Sequence, residues 1–238
     1  MEKILHPAAT RGTANLGWLQ AKYSFSFANY FDSNRLQFGL LRVLNDDIIA
    51  PAMGFGTHPH NNMEIVTIPQ FGAVKHKDSM GNEGIISSGD IQVMSAGSGV
   101  QHSEVNASAE EELKLFQIWV LPETENVTPR YDQKKIADII RPNAFSAVVK
   151  PRSVARKNEL WVHQQTYFNI GEFSKKTKTT YTLQQDGHGV YLLMIKGAAV
   201  VENEILADRD AIGIWDTNSI SMTLEKDSRV LLIEVPMN

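Results

Sequence analysis

Gly54-Phe55-Gly56-Thr57-His58-Pro59-His60-Asn61-Asn62-Met63-Glu64 and Gly89-Asp90-Ile91-Gln92-Val93-Met94-Ser95-Ala96-Gly97-Ser98-Gly99-Val100-Gln101-His102-Ser103-Glu104-Val105-Asn106 are the two stretches from which the rest of this 238-residue chain can be read. In each, two metal-binding side chains stand two positions apart: His58 with His60, and His102 with Glu104. Residues two apart on a β-strand point to the same face of the sheet, so each extended stretch offers two ligands to one side. Three neutral imidazoles and one carboxylate on a divalent transition metal leave coordination positions open, as a catalytic site requires and a structural zinc site does not. Glu64 has the same parity relative to its histidines as Glu104, and parity alone does not choose between the two carboxylates.

The surroundings strengthen this reading. Pro59 fixes a backbone angle inside the first pair, and Gly97 and Gly99 set a tight turn just before the second. Four of the seven histidines, at 58, 60, 76 and 102, fall in this one window. Cysteine is absent, which removes disulfides, thiolate nucleophiles and sulfur ligands together, so any metal is held by nitrogen and oxygen. Such a donor set accepts Fe(II), Mn, Co, Ni, Cu or Zn. The expectation is one divalent metal per chain, with Fe(II) first among these. Because metal binding needs neutral imidazoles, whose ordinary pKa is about 6.5, affinity is expected to fall below about pH 6.

Outward from the window the chain reads as short strands separated by turns. Tyr23, Phe25 and Phe27 alternate with serines, and Leu36, Phe38 and Leu40 alternate with Gln37 and Gly39, both at period two. Further strand-like runs are 65–68, 91–94, 115–120, 179–183, 190–195, 211–215 and 230–235, punctuated by turn sequences at 80–84 and 185–189. Helical sequence is scarce; Gln133 to Ile140 is the best short candidate. The fold class is therefore all-β, a sandwich or barrel. A weak repeat relates 85–122 to 205–236, with 122–130 as a polar linker, and divides the chain into 1–130 and 131–238. Aligning Asp90 with Asp210 puts Met222 at the position of His102 and Leu224 at that of Glu104, so the second copy lacks ligands. His188 reads as a turn or surface histidine, His76 as a solvated strand end, and Glu110-Glu111-Glu112 as a solvated loop. Met94 and Trp119 read as core.

The spacings His58-x-His60-x3-Glu64 and Gly97-x-Gly99-x2-His102-x3-Asn106 resemble the two motifs of the cupin superfamily. More narrowly, His58-Pro59-His60, His76-Lys77-Asp78-Ser79-x-Gly81, Gly89-Asp90-Ile91-Gln92 and Ala96-Gly97-x-Gly99-x2-His102-Ser103-Glu104 resemble the pirin family. Asn61-Asn62 departs from it, standing where many members carry a glycine. The resemblance implies two cupin-type β-barrel or jelly-roll domains with few short helices: a bicupin whose metal-binding domain is 1–130 and whose degenerate domain is 131–238. It also implies that the metal is held by His58, His60, His102 and Glu104. Glu64 would then orient a metal-bound imidazole, and the resemblance gives His76 a supporting or pocket role as the alternative to a solvated strand end.

Charge narrows the chemistry. A divalent metal with three neutral histidines and ionised Glu104 carries a net charge of +1, which a singly charged enolate would cancel inside an apolar barrel. The resemblance implies a quercetin 2,3-dioxygenase: a flavonol bound through its 3-hydroxyl, opened by O2 with release of CO, and Glu104 acting as both ligand and base. The alternative is a metal- or redox-sensing regulator that binds a transcription factor or metabolic enzyme as protein partner. A net charge of −4 gives no footprint for nucleic acid or an anionic membrane. The N-terminal Met1-Glu2-Lys3-Ile4-Leu5-His6-Pro7 has no apolar h-region, and no apolar run reaches spanning length. A cytoplasmic monomer is expected.

Overall fold

The computed structural model describes residues 1–237. The first half of the chain forms β1 (Glu2–His6), β2 (Gly12–Asn15), β3 (Leu19–Tyr23), β4 (Leu41–Ile49), β5 (Gly54–His60) and β6 (Glu64–Phe71). It continues through β7 (Ala73–Asp78), β8 (Glu83–Ser87), β9 (Asp90–Ser95), β10 (Val100–Asn106) and β11 (Leu113–Val120). After the linker come β12 (Arg130–Lys135), β13 (Phe145–Pro151), β14 (Trp161–Val162), β15 (Tyr167–Phe173), β16 (Thr177–Thr182) and β17 (His188–Lys196). The chain closes with β18 (Ala199–Val201), β19 (Glu204–Leu206), β20 (Ala211–Trp215), β21 (Ser219–Leu224) and β22 (Ser228–Pro236). Among the described residues the helices are two single 3-10 turns, Ala8–Thr10 and Ile136–Asp138.

Each half is a large sheet packed on a small one. In the first, seven strands run β12-β9-β6-β11-β4-β3-β2 and face four in the order β5-β10-β7-β8. In the second, β1-β20-β17-β22-β15-β13-β14 face β16-β21-β18-β19. The two seven-stranded sheets also pack against each other, so their middle strands are buried on both faces. This is why β17 is apolar from Val190 to Ile195: Val190, Leu192 and Met194 enter the core of the second half, while Tyr191, Leu193 and Ile195 enter the core between the halves. The same division holds for β6, where Val66 and Ile68 face the central core and Ile65 faces the metal-bearing half.

The halves exchange edge strands. β1 pairs with β20 of the second half, and β12 pairs with β9 of the first. The expected division at 130 is thus one of sequence, since the sheets trade strands across it. Two local expectations are corrected. Gln133 to Ile140 is not helical: Gln133, Lys134 and Lys135 pair with Gln92, Ile91 and Asp90, and one 3-10 turn follows. An open ladder edge on β9 and a buried slot for Ile136 outweigh local preference. Residues 24–40 form a loop beyond β3, not strands. Their alternation serves another purpose, because Phe25 and Phe38 insert between the halves and pack their rings 5.2 and 5.5 Å from Tyr191.

Candidate metal centre

β5 and β10 are antiparallel neighbours whose register sets His58 opposite His102 and His60 opposite Val100. Between the pairs His102 to His58 and Glu104 to Phe55, β5 has one residue more than β10, a bulge of the kind that re-aims side chains beside a site. The turn into β10 needs Gly97, which has φ of 47°, and a Cβ there would run into the carbonyl of Val127 in the linker. Asn62, with φ of 46°, makes the turn from β5 to β6 and accepts a hydrogen bond from the amide of Asn126 at 2.7 Å. A short polar residue is tolerated there in place of glycine.

The result is a tight imidazole cluster. The rings of His58 and His102 are 4.4 Å apart, and that of His60 lies 4.9 Å from each. One donor nitrogen of each falls within 4.8 Å of the others. The donors of His76, His102 and Glu104 form a second such group, with His102 shared. His102 is buried, and neither of its nitrogens has a partner among the described residues, a situation that a metal ion resolves. His58 Nδ1 lies 2.8 Å from the carbonyl of Gly56, which leaves Nε2 for the ion. These residues fit a divalent metal.

Burial governs the charges. Desolvation, with the neighbouring histidines adding to it, lowers His102 to about 3 and His60 to about 4, so both imidazoles are neutral well below pH 6. Desolvation raises Glu104 to about 7 even though it accepts hydrogen bonds from Gln117 Nε2 at 2.7 Å and Thr67 Oγ1 at 3.2 Å. A cavity of about 220 Å³ opens from His58, His60 and Glu104, walled by Leu19, Tyr23, Phe27, Phe55 and Trp119, with Asn45, Asp47 and Gln117 as its other polar groups. A larger hollow of about 710 Å³ lies in the second half, lined by residues of β13, β15 and β16 and remote from these ligands.

Several expectations change. His76 is fully buried, not solvated: it pairs with Glu104 across β7 and β10, lies 3.2 Å from Asp78 Oδ2 and stacks 4.8 Å from Tyr131. Its inward parity between two exposed lysines is the signal that flanking charge obscures. Glu64 does not touch the imidazoles. The turn at 61–63 resets parity, so its carboxylate faces the junction of the halves, where it accepts from Ser95 Oγ at 2.8 Å and feels Arg130. Trp119 is not plain core, since its ring stands 4.9 Å from that of His60 and lines the cavity. His188 is buried and lies 3.0 Å from Glu234 Oε1. Met94 is core, and 110–112 is exposed. Thr67, Gln117, Asn45 and Asp47 lay outside the sequence reading; polar residues at inward positions of apolar strands were the trace they left. In the second half β21 holds the place of β10, and Met222 and Leu224 sit in its apolar core.

Two stacked β-sandwiches with such a cluster in one of them define a bicupin able to hold a metal. The chain belongs to the pirin family: residues 6–120 match the model described as Pirin, and 152–235 match that described as Quercetinase C-terminal cupin domain. Among its relatives, the quercetin 2,3-dioxygenase of Escherichia coli (strain K12) is 40% identical over 98% of both chains. A pirin-like protein of Caulobacter vibrioides is 38% identical over 94% of this chain and 95% of that one. The crystal structure of the bacterial pirin YhhW from Escherichia coli in complex with nickel(II) superposes with a TM-score of 0.92 at 39% identity, covering 99% of each chain.

Proposed function

We propose that this chain is a quercetin 2,3-dioxygenase that binds a flavonol through its 3-hydroxyl and, with O2, opens the ring and releases CO. The carrying observation is the junction of the imidazole cluster with an aromatic-walled cavity. At about 220 Å³ the cavity is smaller than the usual ligand site, so it takes part of a flavonol and leaves the remainder at the mouth beside the exposed Leu16. Relatives named for this activity support the substrate class.

His58, His60, His102 and Glu104 would hold the metal, with His76 kept in place by Asp78. When bound, the metal supplies a Lewis acid and open positions for an enolate oxygen and O2. Glu104 takes the proton of the 3-hydroxyl. Gln117 and Thr67 hold the carboxylate in place, while Phe55 and Trp119 exclude water from the flavonol. The regulatory alternative rests on family resemblance alone.

Oxygen uptake and CO release with quercetin, measured on protein loaded in turn with Fe(II), Ni, Cu, Mn and Co, test this. Turnover is expected with at least one metal and is lost in Glu104→Gln. Replacing any of His58, His60 or His102 by Ala should lower metal content in elemental analysis. No uptake with any metal would sink the proposal.

A further inference from the structure

β4 lies in the wall of the metal-bearing half and turns alternate residues inward. Ile49 joins the apolar core there, whereas Asp46 points the other way to Arg11 and Arg209 of the junction. Two inward positions, 45 and 47, are polar. Asn45 and Asp47 are each 3% exposed and both line the cavity. Among the described residues Asn45 Oδ1 and Asp47 Oδ1 are fully buried and have no hydrogen-bond partner. A buried amide and carboxyl without partners destabilise the fold, and an apolar side chain would fill the same wall without that cost. Their position is close to the chemistry, for Asn45 pairs across the ladder with Gln117, whose amide holds Glu104, and Asp47 pairs with Leu115.

We propose that Asn45 and Asp47 are the hydroxyl-recognising pole of the cavity, which selects an aromatic enol carrying at least one hydroxyl beyond the metal-binding one. The identity of that ligand rests on the dioxygenase reading; the pole itself rests on two polar side chains, each 3% exposed, that line the cavity wall. Of the remaining wall, Leu19, Phe27, Phe55 and Trp119 fit the faces of the rings, while Tyr23 and Gln117 are polar. Burial, with Asp46 and Glu104 adding to it, raises Asp47 to about 8.

The test compares quercetin, hydroxylated on its other rings, with 3-hydroxyflavone, which bears only the metal-binding hydroxyl. Both are titrated into Ni(II)-loaded protein under argon. Wild type should bind quercetin at least about tenfold more tightly, and Asn45→Leu and Asp47→Leu should each cut that preference by about tenfold while leaving 3-hydroxyflavone within about twofold. Asp47→Asn, which retains a donor and an acceptor, should keep it. Equal binding of the two flavonols by wild type, or a preference that survives both leucine variants, overturns the proposal. If a leucine variant does not fold, Asn45→Ala and Asp47→Ala carry the same expectation. Should wild type bind neither flavonol, the dioxygenase reading fails and metal-free protein still decides the pole, by ligand-observed NMR with resorcinol against toluene. Resorcinol binding that disappears in the leucine or alanine variants supports the pole; binding that persists in them, or is absent from wild type, overturns it.

Discussion

His60 and His102 carry no proton at pH 6, because burial and mutual repulsion hold them at about 4 and 3. The pH dependence expected from ordinary imidazoles therefore does not come from these two, and Glu104, whose carboxyl is raised to about 7, must lose its proton to ligate. Metal binding at pH 6 should release at least about one proton per chain, and apparent affinity should climb at least about tenfold per pH unit from 5 to 7 before levelling. Calorimetry in buffers of different ionisation enthalpy measures this; zero release at pH 6 would mean that Glu104 is not a ligand. Glu64 makes a separate prediction. Its pKa rises from 4.5 unfolded to about 7 folded, so the folded chain holds a proton that the unfolded chain has lost. The contribution is present below about 4.5 and disappears as pH rises through 7, a change of up to about 3 kcal/mol. In urea unfolding of the metal-free protein Glu64→Gln should gain on wild type by that amount between pH 4.5 and 8, while the metal-loaded variant keeps near-normal turnover. Parallel pH profiles would show that the carboxylate is not desolvated.

The exchanged edge strands make the corresponding prediction for elements. β1 covers the outer ladder of β20, and buried His6 on it lies 2.9 Å from the hydroxyl of Tyr191 in the central core. Its loss would bare an apolar edge strand, Ala211–Trp215, to pairing with other chains. Deleting residues 1–7 should lower the melting temperature by several degrees and produce aggregates in size-exclusion chromatography. Metal affinity should hold, since β5, β7 and β10 are untouched. A stable monomeric truncation would show that β1 is dispensable, and lost metal would show coupling between the halves.

At the scale of the whole molecule, the two seven-stranded sheets share one core, in which Leu44, Val66, Phe116 and Ile118 of the first half meet Phe168, Tyr191, Leu231 and Ile233 of the second. Each fully buried side chain of this size contributes roughly 1.5–3 kcal/mol, so 1–130 or 131–238 expressed alone should be insoluble. A soluble, folded fragment would refute the shared core. The described metal-donor groups both lie in the first half, and Met222 and Leu224 are buried among apolar neighbours, so anaerobic titration with Ni(II) should find one tight site per chain. Two would contradict the inert second half. Sequence by itself determined the all-β class, the His58, His60 and His102 cluster, and the apolar replacement at 222 and 224. Each of these rests on residue type and on period-two spacing within a strand, where local geometry decides which face a side chain takes. Only the tertiary structure placed His76 beside Glu104, turned Glu64 to the junction, made a loop of 24–40 and brought Asn45, Asp47 and Trp119 to the cavity. These depend on register between strands distant in sequence, on a turn that resets parity, and on which of two buried faces meets which core, and no local pattern encodes them.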